Sequence, residues 1–328
     1  MRLKACIEGD NFYEVGRFNW MNKYFVILFL IFCNLLLFLL PAYSQDMGSS
    51  GRAGDGAGIS FSTTYMHQFN ADLDGGGDFS VDRLFLRADA KKRLSDTFTM
   101  GIGINYVFHD YSFADGTFNP LSKPWKQVHA LDLSVNSLFV IDKGWNLFVA
   151  PSIGVAGASG ANWSDSLIYG GIIWTSYRLN PGLLLGAGAG LFSKQKDFSG
   201  FPIIVVDWKI SDRLRLSNPV NPGPTGPAGL ELSYMFDEVS SVAMGGAYRS
   251  LRFRLSNSST LSDGIGEDKA FPLWIRFSTK IGSLGTLSLH GGTMVGGKLT
   301  LRDSWDNKVA VKDYKSSPFL SATLMFKF

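Results

Sequence analysis

Cysteine is almost missing from this chain. The two present, Cys6 and Cys33, lie near the amino terminus, which leaves the rest without a disulfide framework or thiol chemistry. Charge is scarce too: 18% of residues are charged and the net charge is +3, too little for a nucleic-acid footprint. Past residue 40 no apolar run is long enough for a membrane-spanning helix. No His-Glu-x-x-His, cysteine pair or EF-hand spacing occurs, so the usual metal sites are not written here. Gly75-Gly76-Gly77 follows no strand-to-helix transition of the nucleotide-binding kind, and no cofactor is expected.

What the chain does have is glycine and aromatic residues: 37 Gly, 26 Phe, 11 Tyr and 8 Trp. That composition without long apolar runs suits a membrane barrel better than a soluble enzyme. The last residues, Pro318 to Phe328, are the clearest case. With period two, Leu320, Ala322, Leu324, Phe326 and Phe328 fall on one face, and Phe319, Ser321, Thr323, Met325 and Lys327 on the other. An apolar face against lipid, a mostly polar face against a lumen and an aromatic final residue make a transmembrane strand. It resembles the closing strand of bacterial outer-membrane barrels. That resemblance implies that Phe328 is part of the signal read by the outer-membrane assembly machinery, with outer-membrane lipid around the wall.

The amino terminus carries the matching address. Asn22-Lys23-Tyr24, the apolar run from Phe25 to Leu40, Pro41 and the small residues of Ala42-Tyr43-Ser44 form a signal peptide cut after Ser44. Residues 1–20 read as an over-extended gene start, 21–44 as the signal peptide and 45–328 as one barrel domain. The expected location is the outer membrane of a Gram-negative bacterium.

Alternation marks fourteen strands, near 57–69, 80–93, 97–109, 128–141, 145–157, 166–178, 183–193, 202–210, 212–218, 228–237, 240–255, 271–281, 284–301 and 317–328. Twelve is the fallback if 202–218 is a bent hairpin or a loop excursion. Long links (70–79, 111–127, 158–165, 194–201, 218–227, 256–270 and 302–316) alternate with short ones. An all-β, up-and-down antiparallel barrel with short periplasmic turns and longer outer loops requires that alternation.

Once each strand is phased by its apolar face, the opposite face gives the lumen. Arg83 and Arg87 point inward from the second strand, and Asp132 from the fourth. Asp207, then Arg213 and Arg215, then Glu231 follow from the eighth, ninth and tenth. Arg252 and Arg254 join them if a bulge near Arg249-Ser250 slips the phase of the eleventh, and Arg276 comes from the twelfth. Arginines paired with Asp132, Asp207 and Glu231 would make a structural ladder. Arginines in excess would favour anionic solutes along a water-filled path. Trp145, Trp163, Trp174, Trp208, Tyr106, Tyr248 and Phe328 read as interface girdles, and Trp274 as an inward exception.

Catalysis is poorly supported. A lipid hydrolase of the His-x-Ser kind would place a serine two residues after a histidine on the lipid face, and His67, His109, His129 and His290 are followed there by Phe69, Tyr111, Leu131 and Gly292. His109, near Asp110 and Asp132 in this reading, is the best remaining candidate.

The segment from Phe201 to Leu255 contains Val206-Asp207-Trp208-Lys209, Gly229-Leu230-Glu231-Leu232 and Tyr248-Arg249-x-x-Arg252-Phe253-Arg254. It resembles an uncharacterised family of exported bacterial barrels, a domain of unknown function. The resemblance implies the barrel fold and carries no established activity or catalytic residues. The leading expectation is a passive pore for small solutes, anionic ones favoured. The alternative is a non-conducting barrel whose outer loops bind a partner or ligand, with a lipid-modifying enzyme behind both.

Overall fold

A computed structural model describes residues 57–114, 118, 123–195, 197–218 and 228–328. The signal segment 21–44 and the Pro-rich link 219–227 lie outside the described residues. The chain runs as β1 (Gly58–Asp72), β2 (Asp78–Ser95), β3 (Phe98–Phe113), β4 (Gln127–Val140), β5 (Trp145–Ala158), β6 (Leu167–Asn180), β7 (Leu183–Lys194) and β8 (Asp197–Lys209). It continues as β9 (Leu214–Ser217), β10 (Ala228–Met235), β11 (Ser240–Arg254), β12 (Ile265–Ile281), β13 (Gly285–Arg302), β14 (Lys308–Tyr314) and β15 (Ser317–Lys327). A short 3-10 turn, Ser164–Ser166, precedes β6. No helix among the described residues is long and apolar enough to cross a membrane.

Each strand from β1 to β13 pairs antiparallel with the next, and β15 pairs with both β13 and β1. The sheet therefore closes on itself, which removes its edges. β14 and β15 lie end to end along β13, so the ring has fourteen staves. Ile59, Ile102, Leu133, Ile153, Ile173, Leu191, Ile204, Met244, Ile275 and Leu320 lie on the outward phase, and nearly all are exposed. An exposed apolar belt on a closed barrel is a lipid-facing surface.

Two links depart from the expected alternation. Residues 194–201, read as a long loop, are mostly strand, because β8 already starts at Asp197. Residues 302–316 contain β14, a seven-residue strand rich in charge. The hairpin doubted at 202–218 is real, but β9 has only four residues.

That short strand shapes the outer end of the barrel. β9 reaches β8 only from Asp207 to Lys209, and β10 starts at Ala228, opposite Tyr248 of β11. Beyond Tyr248, β11 is no longer paired with β10, although β12 follows it to Arg254. A bulge on β13 adds curvature: Gly296 and Gly297 together face Ala270, and Gly296 has φ +60°. Glycine in the left-handed region at the first bulge position is a standard way to bend and twist a strand pair. The end of β11 then makes a parallel bridge, Arg254 to Gly157, with β5, a strand it does not adjoin in the ring. The outer ends of β11 and β12 thus cross the interior.

Candidate functional site: the divided interior

The crossing encloses a packed apolar core at the outer end. Met66, Phe79, Val81, Tyr111 and Phe113 from β1–β3 meet Phe253, Leu255, Leu299 and Leu301 from β11–β13, with Phe118 and Trp125 from the β3–β4 loop. Phe79 packs edge-on against Tyr314 at 5.0 Å, and Trp125 edge-on against Phe253 at 5.1 Å. Offset and edge-on contacts of this kind add to the area that the rings bury.

Asp268 of β12 sits in that core with no exposure. Its Oδ2 accepts hydrogen bonds from Arg249 Nη2 at 2.8 Å, Tyr111 OH at 2.8 Å and Arg83 Nη2 at 3.3 Å. Its Oδ1 accepts from Tyr314 OH at 3.3 Å. One carboxylate on β12 thereby ties together β2, β3, β11 and β14. Tyr314 fits because its partner on β13 is Gly297, where an added Cβ would stand 1.9 Å from the ring. Gly297→Ala is expected to push Tyr314 off Asp268 and lower stability by about 1–3 kcal/mol. Urea unfolding of the refolded barrel measures this, and an unchanged midpoint would contradict it.

Toward the periplasmic end the interior is polar and partly exposed. Arg87 pairs with Asp89 through Nε at 2.7 Å, and Asp132 lies across β3 from them, opposite Asn105. Glu231 receives a two-pronged contact from Arg276 and a hydrogen bond from Trp274 Nε1 at 2.9 Å. Arg215 grips Asp207 with two hydrogen bonds, 2.6 and 2.7 Å. Bidentate arginine–carboxylate pairs are directional and rigid.

The sequence-predicted residues thus fall into three groups. Arg87, Arg215 and Arg276 are matched by carboxylates on inward phases, Asp89, Asp207 and Glu231, while Asp132 lies inward without a matched arginine. Arg83 is buried in the core on Asp268. Arg213 lies in the exposed turn before β9. Arg252 and Arg254 do not belong to one wall with the others, and no phase slip puts them inside: β11 and β12 stay in register from Arg249 to Arg254. The strand itself crosses the ring, so these two face away from the apolar core. Arg252 reaches Asp306 at 2.5 Å and the Gln195 carbonyl at 3.4 Å, and Arg254 donates to the carbonyls of Asp165 and Asp263 at 2.8–3.0 Å. They pin outer links onto the crossing strands.

On the far side of the crossing, the inner faces of β5–β8 are apolar and partly exposed. They carry Phe148, Ile172, Trp174, Phe192, Phe201 and Ile203. Trp174, expected in a girdle, stacks inside on Phe148 at 4.8 Å. Gly190 gives Phe201 its seat: a Cβ there would be 2.4 Å from the ring.

The histidines sit in separate local contacts: His67 Nδ1 lies 2.8 Å from Asp82 Oδ1 and His290 Nδ1 lies 3.3 Å from Ser321 Oγ. His109 bonds Tyr111 OH at 3.3 Å rather than Asp110 or Asp132. His129 faces outward and does meet a serine: Nε2 lies 3.2 Å from Ser159 Oγ, and Nδ1 lies 2.8 Å from Tyr106 OH. A search for serines two residues away along one strand misses this cross-strand contact. Its side chain is 6% exposed, which denies a substrate access to the ring.

These features define a fourteen-stranded transmembrane β-barrel whose outer end is crossed by its own strands. The chain belongs to the family described as Domain of unknown function (DUF6268), whose model matches residues 83–327. The matched region contains the whole of 201–255, from which the family resemblance was read. No curated protein matches the chain. Among solved structures it is similar to an outer-membrane channel from Pseudomonas putida F1, with 13% identity over 87% of this chain and 100% of that one, TM-score 0.48. It is also similar to the P. putida toluene transporter TodX, with 11% identity over 84% and 90% of the two chains, TM-score 0.41. The Ralstonia pickettii toluene transporter TbuX matches with 11% identity over 84% and 89%, TM-score 0.41.

Proposed function

We propose that this protein is a passive pore of the outer membrane for small solutes, with a preference for anions and an outer end closed by the crossing of β11 and β12. The observation that carries the reading is the polar interior around Arg87, Asp132, Glu231 and Arg276, in which Arg87, Asp132 and Arg276 are partly exposed. The anion preference is drawn from Arg213, exposed at the periplasmic rim. Arg87, Arg215 and Arg276 add less, because each has its own counter-charge.

Planar-bilayer recording of the refolded barrel under a salt gradient tests this. Brief openings from a closed level, with a reversal potential on the anion side, are the expected result. A correctly folded barrel that never conducts would overturn the pore. The second reading, a non-conducting barrel with a binding surface on its outer loops, draws on the packed outer core. For that reading the segment to remove is 256–264, since 265–270, expected as loop, belongs to β12. Loss of cell-surface ligand capture with assembly unchanged would favour it.

A further inference from the structure

We infer that the barrel interior holds a small monovalent anion between Arg83 and Arg249. Both guanidinium groups converge on Asp268 Oδ2, and Tyr111 donates to the same oxygen. Two positive charges against one negative leave one positive charge in excess. Arg83 and Asp268 have no exposure and Arg249 only 7%. A buried ion pair is tolerable only when charge and hydrogen bonds are both satisfied.

The hydrogen bonds point the same way. Arg83 Nε and Nη1 and Arg249 Nε and Nη1 are buried and have no protein partner. Buried guanidinium N–H groups are rarely left unpaired, and their fork suits an anion. The remaining neighbours are the phenols of Tyr111 and Tyr314, whose protons already point at Asp268. An anion supplies both what the charge count lacks and acceptors for the free N–H groups. Net charge selects the monovalent class: a dianion would reverse the excess rather than cancel it. The way in is the periplasmic half. On β2 the inward residues run from Arg83 through the partly buried Phe85 to Arg87, whose side chain is 31% exposed.

The site does not depend on conduction, since a silent barrel would bind the ion equally well. Bromide is the probe. Refolded barrel in detergent is unfolded by heat at constant ionic strength while sodium gluconate, whose anion is too large for the packed interior, is replaced by sodium bromide. The wild type is expected to gain a saturable rise in midpoint. Arg83→Met, with its charges balanced, is expected to lose the bromide response, and Arg249→Gln serves if that variant does not fold. A wild-type midpoint that is flat or drifts without saturation overturns the site, as does an equal response in a folded variant.

Discussion

Asp268→Asn is expected to lower the stability of the refolded barrel by about 3–5 kcal/mol, the usual cost of removing one partner from a buried ion pair. The asparagine keeps the shape but takes away the carboxylate that Arg83 and Arg249 share. The loss should be local first. Strands β11 and β12 should leave the interior before the ring opens, exposing the 255–264 link to protease while the folded barrel persists on a gel. Urea titration and limited proteolysis together read this. A variant as stable and as resistant as the wild type would mean that Asp268 does not hold the crossing in place.

Phe253→Ala should have an effect of similar size by a different route. Phe253 has no exposure, packs edge-on against Trp125 and occupies the space opposite Gly266, where a Cβ would come within 2.5 Å of its ring. Truncating a buried phenylalanine costs about 3–5 kcal/mol, part of it the cavity left behind. Here the cavity lies in the material that closes the barrel. Bilayer recordings should therefore show longer openings than in the wild type, and Phe253→Leu should fall between the two. Unchanged stability would refute the packing argument. Unchanged conductance with lost stability would show that the closure lies elsewhere.

Much of this architecture could be read from the sequence, and the failures share a cause. Strands such as β3 and β15 have one face in lipid and one in the lumen, so alternation reveals both the strand and its phase. The first residues of β12, Ile265-Gly266-Glu267-Asp268-Lys269-Ala270, are buried on both faces by the crossing and show no such alternation. Alternation therefore assigns them to a loop, Asp268 with them. β14 escapes it because it is short and carries charge at its ends. Arg87, Arg215 and Arg276 could be phased because their strands keep one apolar face against lipid. Arg83 and Arg249 could not be assigned to Asp268, because Arg83 lies 185 residues from it and reaches it only through the bend in β11–β13. That bend depends on the brevity of β9 and on the bulge at Gly296-Gly297, and sequence spacing reports neither consequence.

The seam between β1 and β15 bears on how the protein is made. Ile59 and Phe328 exchange backbone hydrogen bonds at 3.1 and 2.8 Å, and further along the seam Thr64 meets Thr323 across 259 residues of chain. These are nearly the most distant contacts the barrel can form, and pairing over such separations is slow. Every other stave can add to its sequential neighbour, but the seam must wait for the final residue. Until then the growing sheet has two raw edges, each a template for another copy of the chain. The time spent with those edges open, rather than the strength of any later contact, sets how many molecules are lost to aggregation before the ring shuts.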